Sequence, residues 1–142
     1  MPPSPHISLF TVLVRDYDEA IRFYTNALGF LLLEDTDMGA GKRWVRLRPP
    51  GKESSAGILL ARATTPGQIA AVGNQTGGRV FAFLHTDDIR RDVGAMLAKN
   101  VHFRGPPPHI REEAYGTVAV FEDLYGNAWD LIQPPATGAR WL

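Results

Sequence analysis

The sequence predicts an α+β fold built from two consecutive modules, each made of a strand, a helix and three more strands. The first observation is an internal repeat: a shift of 72 residues lays Asp16 on Asp88 and the segment 6–14 on 78–86. The second is the order of apolar patterns, which runs strand, helix and three strands in each half. The third is a hydrophobic content of 44% in 142 residues, enough for a domain-sized core. One module alone would expose the apolar face of its sheet, so we expect the two to pair.

The first half of the chain contains the first βαβββ module. Segment 6–14 is mostly apolar and is a predicted strand. Asp16 is a good N-cap for the following helix, and Glu19 stands where a capping box places an acidic side chain. Apolar side chains then recur at helical spacing until Gly29, where we expect a left-handed cap. They are Tyr17, Ile21, Tyr24 and Leu28. The three strands that follow are predicted at 30–34, 43–48 and 56–63.

The second half repeats this plan after a possible short helix at 68–72 and a glycine link at 76–78. Segment 79–85 is a predicted strand, and Asp88 caps a predicted helix. The expected apolar stripe of that helix is Ile89, Val93, Met96 and Leu97. The remaining predicted strands are 101–104, 115–121 and 128–133.

These elements predict a single domain over residues 6–134. The first module occupies roughly 6–64 and the second roughly 78–134, with a linker at 65–77. Pro134 and Pro135 end the regular structure, because proline cannot donate to a sheet, and we expect 135–142 to form a C-terminal tail.

Composition excludes several classes of function. The 15 acidic and 15 basic side chains cancel, and no Lys/Arg run is dense enough to bind nucleic acid. The absence of cysteine excludes disulfides, thiolate catalysis and cysteine metal sites. No apolar run approaches the length of a membrane span, and the N-terminus lacks a signal-peptide pattern. We therefore expect a cytoplasmic protein with no membrane partner.

Two motifs resemble those of the glyoxalase/bleomycin-resistance/dioxygenase superfamily, also called the vicinal oxygen chelate superfamily. Segment 14–24, followed by Leu28-Gly29-Phe30, looks like the family's first helix, and segment 121–131 looks like its closing hairpin. The resemblance covers residues 6–134. It implies a half-open mixed β-barrel around a cleft, with the helices outside, and a homodimer. It also implies a divalent metal that holds substrate through two adjacent oxygens.

The resemblance places the four metal-ligand positions of the family on Leu9, Leu59, Phe81 and Asp130. Hydrocarbon side chains cannot bind Mg²⁺, Zn²⁺ or Fe²⁺, and one carboxylate does not make a site. We therefore predict no metal and no cofactor, with a divalent metal as the alternative.

Alternation along the strands, starting from these four positions, predicts which side chains line the cleft. The predicted ligand-binding residues are Leu9, Thr11, Trp44, Arg46, Leu59, Phe81, Phe83, Tyr115, Phe121 and Asp130. Val118 and Val120 are expected on the helix side. A plainer interpretation makes the phenylalanines core residues, and it makes Asp130 the partner of Arg46 or Arg48 in a salt bridge.

Two functions are consistent with these residues. The first is a binding protein for a small, partly aromatic or apolar molecule in the β-cleft, without the usual metal site. The alternative is a lyase, isomerase or dioxygenase with a degenerate or unusual metal site. Asp130, His85 and Tyr115 would then be the candidate acid, base and proton donor.

Overall fold

The computed structural model describes residues 4–136. These residues divide into two compact units, with the boundary between Val72 and Gly73. Each unit holds one four-stranded mixed sheet that is not closed on itself, together with helices. The predicted α+β class and the βαβββ plan of each module are therefore confirmed. Within residues 4–136, no helix is long and apolar enough to cross a membrane.

The first unit follows the predicted order of elements. They are β1 (Leu9–Val14), α1 (Tyr17–Arg22), β2 (Leu31–Gly39), β3 (Lys42–Arg48), β4 (Gly57–Arg62) and α2 (Pro66–Ala71). The strand order in the sheet is β1-β4-β3-β2. The strands β1 and β4 are parallel, whereas the other two pairs are antiparallel. The first and last strands of the module therefore lie side by side.

Local capping fixes the ends of α1 as the sequence predicts. The Asp16 carboxylate accepts from Glu19 N at 2.8 Å. Beyond Arg22 the helix continues as a π-helical turn at Phe23–Ala27, where Thr25 Oγ1 donates to the carbonyl of Ile21 at 2.7 Å. Gly29 then adopts a φ of +72°, the left-handed cap expected there.

The core of the first unit lies on one face of its sheet. Aliphatic side chains of β1, β3 and β4 alternate toward this face and are at most 4% exposed. They are Val12, Val14, Val45, Leu47, Ile58 and Leu60. Tyr17 and Tyr24 are also buried, and the hydroxyl of Tyr17 accepts from Arg43 N at 3.2 Å.

The second unit has the same topology as the first. Its elements are β5 (Ala82–His85), α3 (Ile89–Ala98), β6 (Arg111–Glu113), β7 (Gly116–Glu122) and β8 (Ala128–Gln133). The strand order is β5-β8-β7-β6, again with the first and last strands parallel. Asp88 caps α3 by accepting from Arg91 N at 3.1 Å. The internal repeat read from the sequence is therefore also a structural repeat.

The structure corrects three of the predicted elements. Segment 101–104 forms only one isolated bridge, Phe103 to Phe121, because Gly105 and three prolines follow and interrupt the ladder. The outer strand is instead β6, which was not predicted. Leu97 is 42% exposed and lies outside the buried stripe of α3. Strand β2 extends to Gly39, since Asp35 forms a cross-strand ion pair with Arg43 at 2.7 Å.

Candidate functional site

One face of the second sheet carries the candidate site, and we call it the Asp130 face. The strand register places its side chains in adjacent positions, with Asp130 between Phe83 on β5 and Val120 on β7. The Asp130 face consists of Phe83, His85, Val118, Val120, Asp130 and Ile132. Helix α3 begins on the opposite face, where Ile89 N donates to Gln133 Oε1 at 2.8 Å.

Asp130 is the polar centre of this face. It is 5% exposed, and its Oδ1 is buried with no hydrogen-bond partner among residues 4–136. Burial raises the pKa of the Asp130 carboxyl, and the nearby charge of Arg111 partly opposes that shift. A buried carboxylate oxygen without a donor is costly, so the group favours either a proton or a donor supplied by a ligand.

Phe83 gives the Asp130 face an exposed aromatic surface. Its side chain is 60% exposed although it is the direct register neighbour of Asp130. His85 lies two residues further along β5 on the same face. Strand β5 is an edge strand of its sheet. The predicted grouping of Phe83, His85 and Asp130 therefore agrees with the register.

Phe121 does not share this face, contrary to expectation. The register pairs Phe121 with Trp129 and Val120 with Asp130, so Phe121 and Asp130 point to opposite sides of the sheet. Phe121 is fully buried and stacks on Trp129 at a ring distance of 6.0 Å. The placement of Val118 and Val120 on the helix side was wrong for the same reason. Because Val120 and Phe121 are both apolar, alternation alone could not choose between the two registers.

Phe81 and Tyr115 lie outside the strands that form the Asp130 face. Phe81 precedes β5, where its N–H donates to the carbonyl of Ala128 at 2.6 Å and its ring lies 5.5 Å from that of Trp129. Tyr115 lies in the turn between β6 and β7 and is 45% exposed. The three candidate catalytic residues therefore divide, with Asp130 and His85 on one sheet face and Tyr115 in a turn.

Five of the predicted ligand-binding residues lie together on one face of the first sheet. The register aligns Thr11 with Leu59 and Arg46 with Leu59. Leu9 and Trp44 follow at alternate positions on the same side. This face is opposite to the buried core of the unit, and its side chains are partly or fully exposed. The predicted orientation of β1, β3 and β4 agrees with this arrangement.

Glu34 neutralises Arg46 on this face. Arg46 Nε donates to Glu34 Oε1 at 2.9 Å, and Thr36 Oγ1 donates to Glu34 Oε2 at 3.0 Å. These two hydrogen bonds lower the pKa of the Glu34 carboxyl. Arg46 therefore pairs with Glu34, whereas the plainer interpretation paired Asp130 with Arg46 or Arg48. Glu34 was not predicted as a site residue because the predicted strand ended there.

The residues at the four family positions do not fit a chelated metal. Leu9, Leu59 and Phe81 offer only hydrocarbon, and Asp130 supplies one carboxylate. Among residues 4–136, no three His, Cys, Asp or Glu side chains come together in a way that could hold a metal ion. This donor set does not support a step that requires two substrate oxygens on a metal.

The sequence did not point to Arg111, because the strand that carries it was not predicted. Burial raises the pKa of the Asp130 carboxyl, and the positive charge of Arg111 acts to lower it.

Comparison with known proteins agrees with this geometry. A sequence profile of the Glyoxalase/Bleomycin resistance protein/Dioxygenase superfamily matches residues 6–131. An uncharacterized protein of Shewanella frigidimarina is 54% identical over 129 residues, which is 90% of both chains. The uncharacterized protein YurT of Bacillus subtilis is 31% identical over 131 residues, which is 89% of this chain and 98% of YurT. The crystal structure of TnmS3, an antibiotic binding protein from a Streptomyces species, superposes with a TM-score of 0.73 at 29% identity, covering 95% of this chain and 100% of that one.

Proposed function

Because the chain belongs to the Glyoxalase/Bleomycin resistance protein/Dioxygenase superfamily, we propose that it binds a small, partly aromatic or apolar molecule on the Asp130 face without a metal ion. The observation that carries this proposal is the buried Oδ1 of Asp130, which has no donor among residues 4–136. A ligand that brings an N–H or O–H to this oxygen removes the cost of leaving it unpaired.

The neighbours of Asp130 indicate the chemistry of the ligand. Phe83 and Val120 flank the carboxyl, so the rest of the molecule contacts an aromatic ring and an aliphatic side chain. Such a surface favours a planar apolar body, because aromatic contact adds to the burial of apolar area. We therefore expect an aromatic molecule that carries a hydroxyl or amine group at one edge.

The relatives support binding in preference to catalysis. TnmS3, described as an antibiotic binding protein, has the same fold at 29% identity over nearly the whole of both chains. The absence of a fitting donor set at the family's metal positions favours the same class of function. His85 and Asp130 then form part of a binding surface, and no proton-transfer step is required of them.

We also propose that the protein is a homodimer, as the resemblance to its family implies. Leu31, Leu32 and Leu33 are 42–44% exposed on β2, which is an edge strand of the first sheet. A run of exposed leucines on an unpaired edge promotes association with another chain. A second copy that covers this edge removes the leucines from water.

A pair of matched probes tests the role of Asp130. Because 2-naphthol differs from naphthalene by one hydroxyl, we expect the protein to bind 2-naphthol about tenfold more tightly in a fluorescence titration. In Asp130→Leu, which keeps a similar shape without oxygen atoms, the two affinities become equal. Asp87→Leu makes the same replacement at an exposed position of this module and should keep the preference. Equal binding of both probes by the unmodified protein would contradict the proposal.

Elemental analysis of the purified protein separates binding from the enzyme alternative. We expect no stoichiometric divalent metal, because the donor set is inadequate. Stoichiometric Mn, Fe, Ni or Zn that a chelator removes would favour the lyase, isomerase or dioxygenase function instead. A crystal structure of protein taken directly from cells would further identify a trapped ligand on the Asp130 face.

A further inference from the structure

A small cavity lies in the second unit. Loop 73–79, which we call the glycine loop, and the turn between β7 and β8 enclose about 90 Å³. Arg79 and Arg104 line this cavity together with Asn74 and Thr76 and the backbone of several glycines. None of these residues belongs to the Asp130 face.

Tight packing fixes the wall of this cavity. Gly73 has a φ of +75°, and a Cβ atom there would lie 1.8 Å from the carbonyl oxygen of Tyr125. The buried Asp123 carboxylate accepts from Tyr125 N at 2.9 Å and from Asn127 N and Nδ2 at 3.0 and 2.8 Å. The turn is therefore held from behind and the glycine loop rests against it, so the cavity is preformed.

Two arginines bring positive charge to this cavity. Arg104 pairs with Glu122 at 2.8 Å, and His102 Nε2 lies 4.0 Å from the same carboxylate. Arg79 forms no ion pair with any residue in the range 4–136. Arg79 therefore brings a guanidinium charge with no carboxylate partner in the range 4–136, whereas Arg104 shares its charge with Glu122 and the Asp123 carboxylate is held by three N–H donors of the turn.

The backbone of the glycine loop adds an N–H donor that suits an anion. Gly77 and Gly78 both have a positive φ, +66° and +100°, and Thr76 Oγ1 ties the loop by donating to the carbonyl of Arg79. The space beside Gly78 is open, with no atom within 4 Å of a Cβ built there. Amides in glycine turns of this kind form concave sites for anions.

We propose that this cavity binds one tetrahedral oxyanion, a phosphate group that is either free or the end group of an organic ester. Arg79 and Arg104 would hold its oxygens through their guanidinium forks, because planar forks match phosphate geometry. The amide of Gly78 would bind a further oxygen. A cavity of this volume suits one phosphate group better than a whole nucleotide.

Titration of the ¹⁵N-labelled protein with inorganic phosphate, at constant ionic strength, tests this site. We expect saturable shifts of the amide signals of Gly73, Gly78 and Gly126, and an affinity about tenfold lower in Arg79→Ala. Arg79→Lys should give an intermediate affinity, since an ammonium group keeps the charge without the fork. Arg90→Ala removes an exposed arginine of α3 and should leave the affinity unchanged.

Further probes define the bound group. Phenyl phosphate that binds at least as well as inorganic phosphate indicates an ester end group, whereas selective binding of inorganic phosphate indicates the free ion. Shifts that rise linearly with phosphate, that acetate reproduces, or that saturate with unchanged affinity in Arg79→Ala overturn the proposal. Asp130→Leu should leave phosphate binding unchanged, so failure of this site is distinguishable from failure of the proposed function.

Discussion

At the scale of single residues, Asp130 lowers the stability of the fold at neutral pH, and the proposed function gives this residue a reason to be there. Burial raises its pKa, so the ionised form is less favourable in the folded protein than in the unfolded chain. The same burial leaves Oδ1 without a donor among residues 4–136, and under the proposed function a ligand supplies that donor. Residues of functional sites often lower the stability of the folded protein.

Replacement of Asp130 by asparagine should stabilise the protein at neutral pH. Folding raises the pKa of the Asp130 carboxyl above its ordinary value of 3.8, so the folded state binds more protons than the unfolded chain between the two pKa values. The free energy of unfolding therefore falls as the pH rises through the pKa of the folded state. We expect Asp130→Asn to raise the free energy of unfolding at pH 7 and to leave it unchanged at pH 3. Urea unfolding at both values measures this difference.

The matched control for this experiment is Asp87→Asn. Arg91 lowers the pKa of the exposed Asp87 carboxyl through a hydrogen bond at 2.8 Å. The stabilising contribution of Asp87 is therefore present above the ordinary carboxyl pKa and is lost as the pH falls, which is the opposite sign. An Asp130→Asn protein less stable than the original at pH 7 would refute the expected sign.

Gly73 is the second residue whose replacement has a predictable effect. Gly73→Ala should destabilise the protein by about 2–3 kcal/mol, because the methyl group would overlap the Tyr125 carbonyl and the φ of +75° is unfavourable for alanine. Gly67→Ala is the control, since the first turn of α2 has open space there. Thermal unfolding of both variants measures the difference, and equal midpoints would contradict the packing.

At the scale of elements, the two helix caps give a prediction that compares the modules. Asp88→Ala removes the acceptor for Arg91 N, and Asp16→Ala removes the acceptor for Glu19 N. Each should lower the free energy of unfolding by about 1 kcal/mol, whereas asparagine at either position should be nearly neutral. Chemical denaturation measures all four variants. An alanine variant as stable as its asparagine counterpart would show that the cap contributes nothing.

The elements also show how far the sequence determines the fold and the site. Asp16 and Asp88 were predictable as caps because capping depends on a few adjacent residues. The face of Phe121 was not predictable, because it depends on how β7 aligns with β8 and both possible faces are apolar. Strand β6 was missed because its three residues are charged and follow a proline-rich loop.

At the scale of the whole molecule, the exposed leucines of β2 make self-association testable. Leu33 lies at a β-bulge and has no register partner, so Leu33→Lys leaves the ladder intact. We expect sedimentation to show a dimer at micromolar concentration and at least about tenfold weaker association in Leu33→Lys. Leu97→Lys, at an equally exposed position on α3, should remain a dimer. A monomeric unmodified protein would rule out the dimer.

The position of β4 and β8 inside their sheets has a consequence for synthesis on the ribosome. Each is the last strand of its module, yet it lies between the first strand and the other two. A growing chain that stops short of Gly57 therefore holds β1 with no neighbouring strand to pair with, although β1 was complete at Val14, 43 residues earlier. Until that last strand emerges, the nascent module exposes its apolar strands, and this is the interval in which a chaperone would be needed.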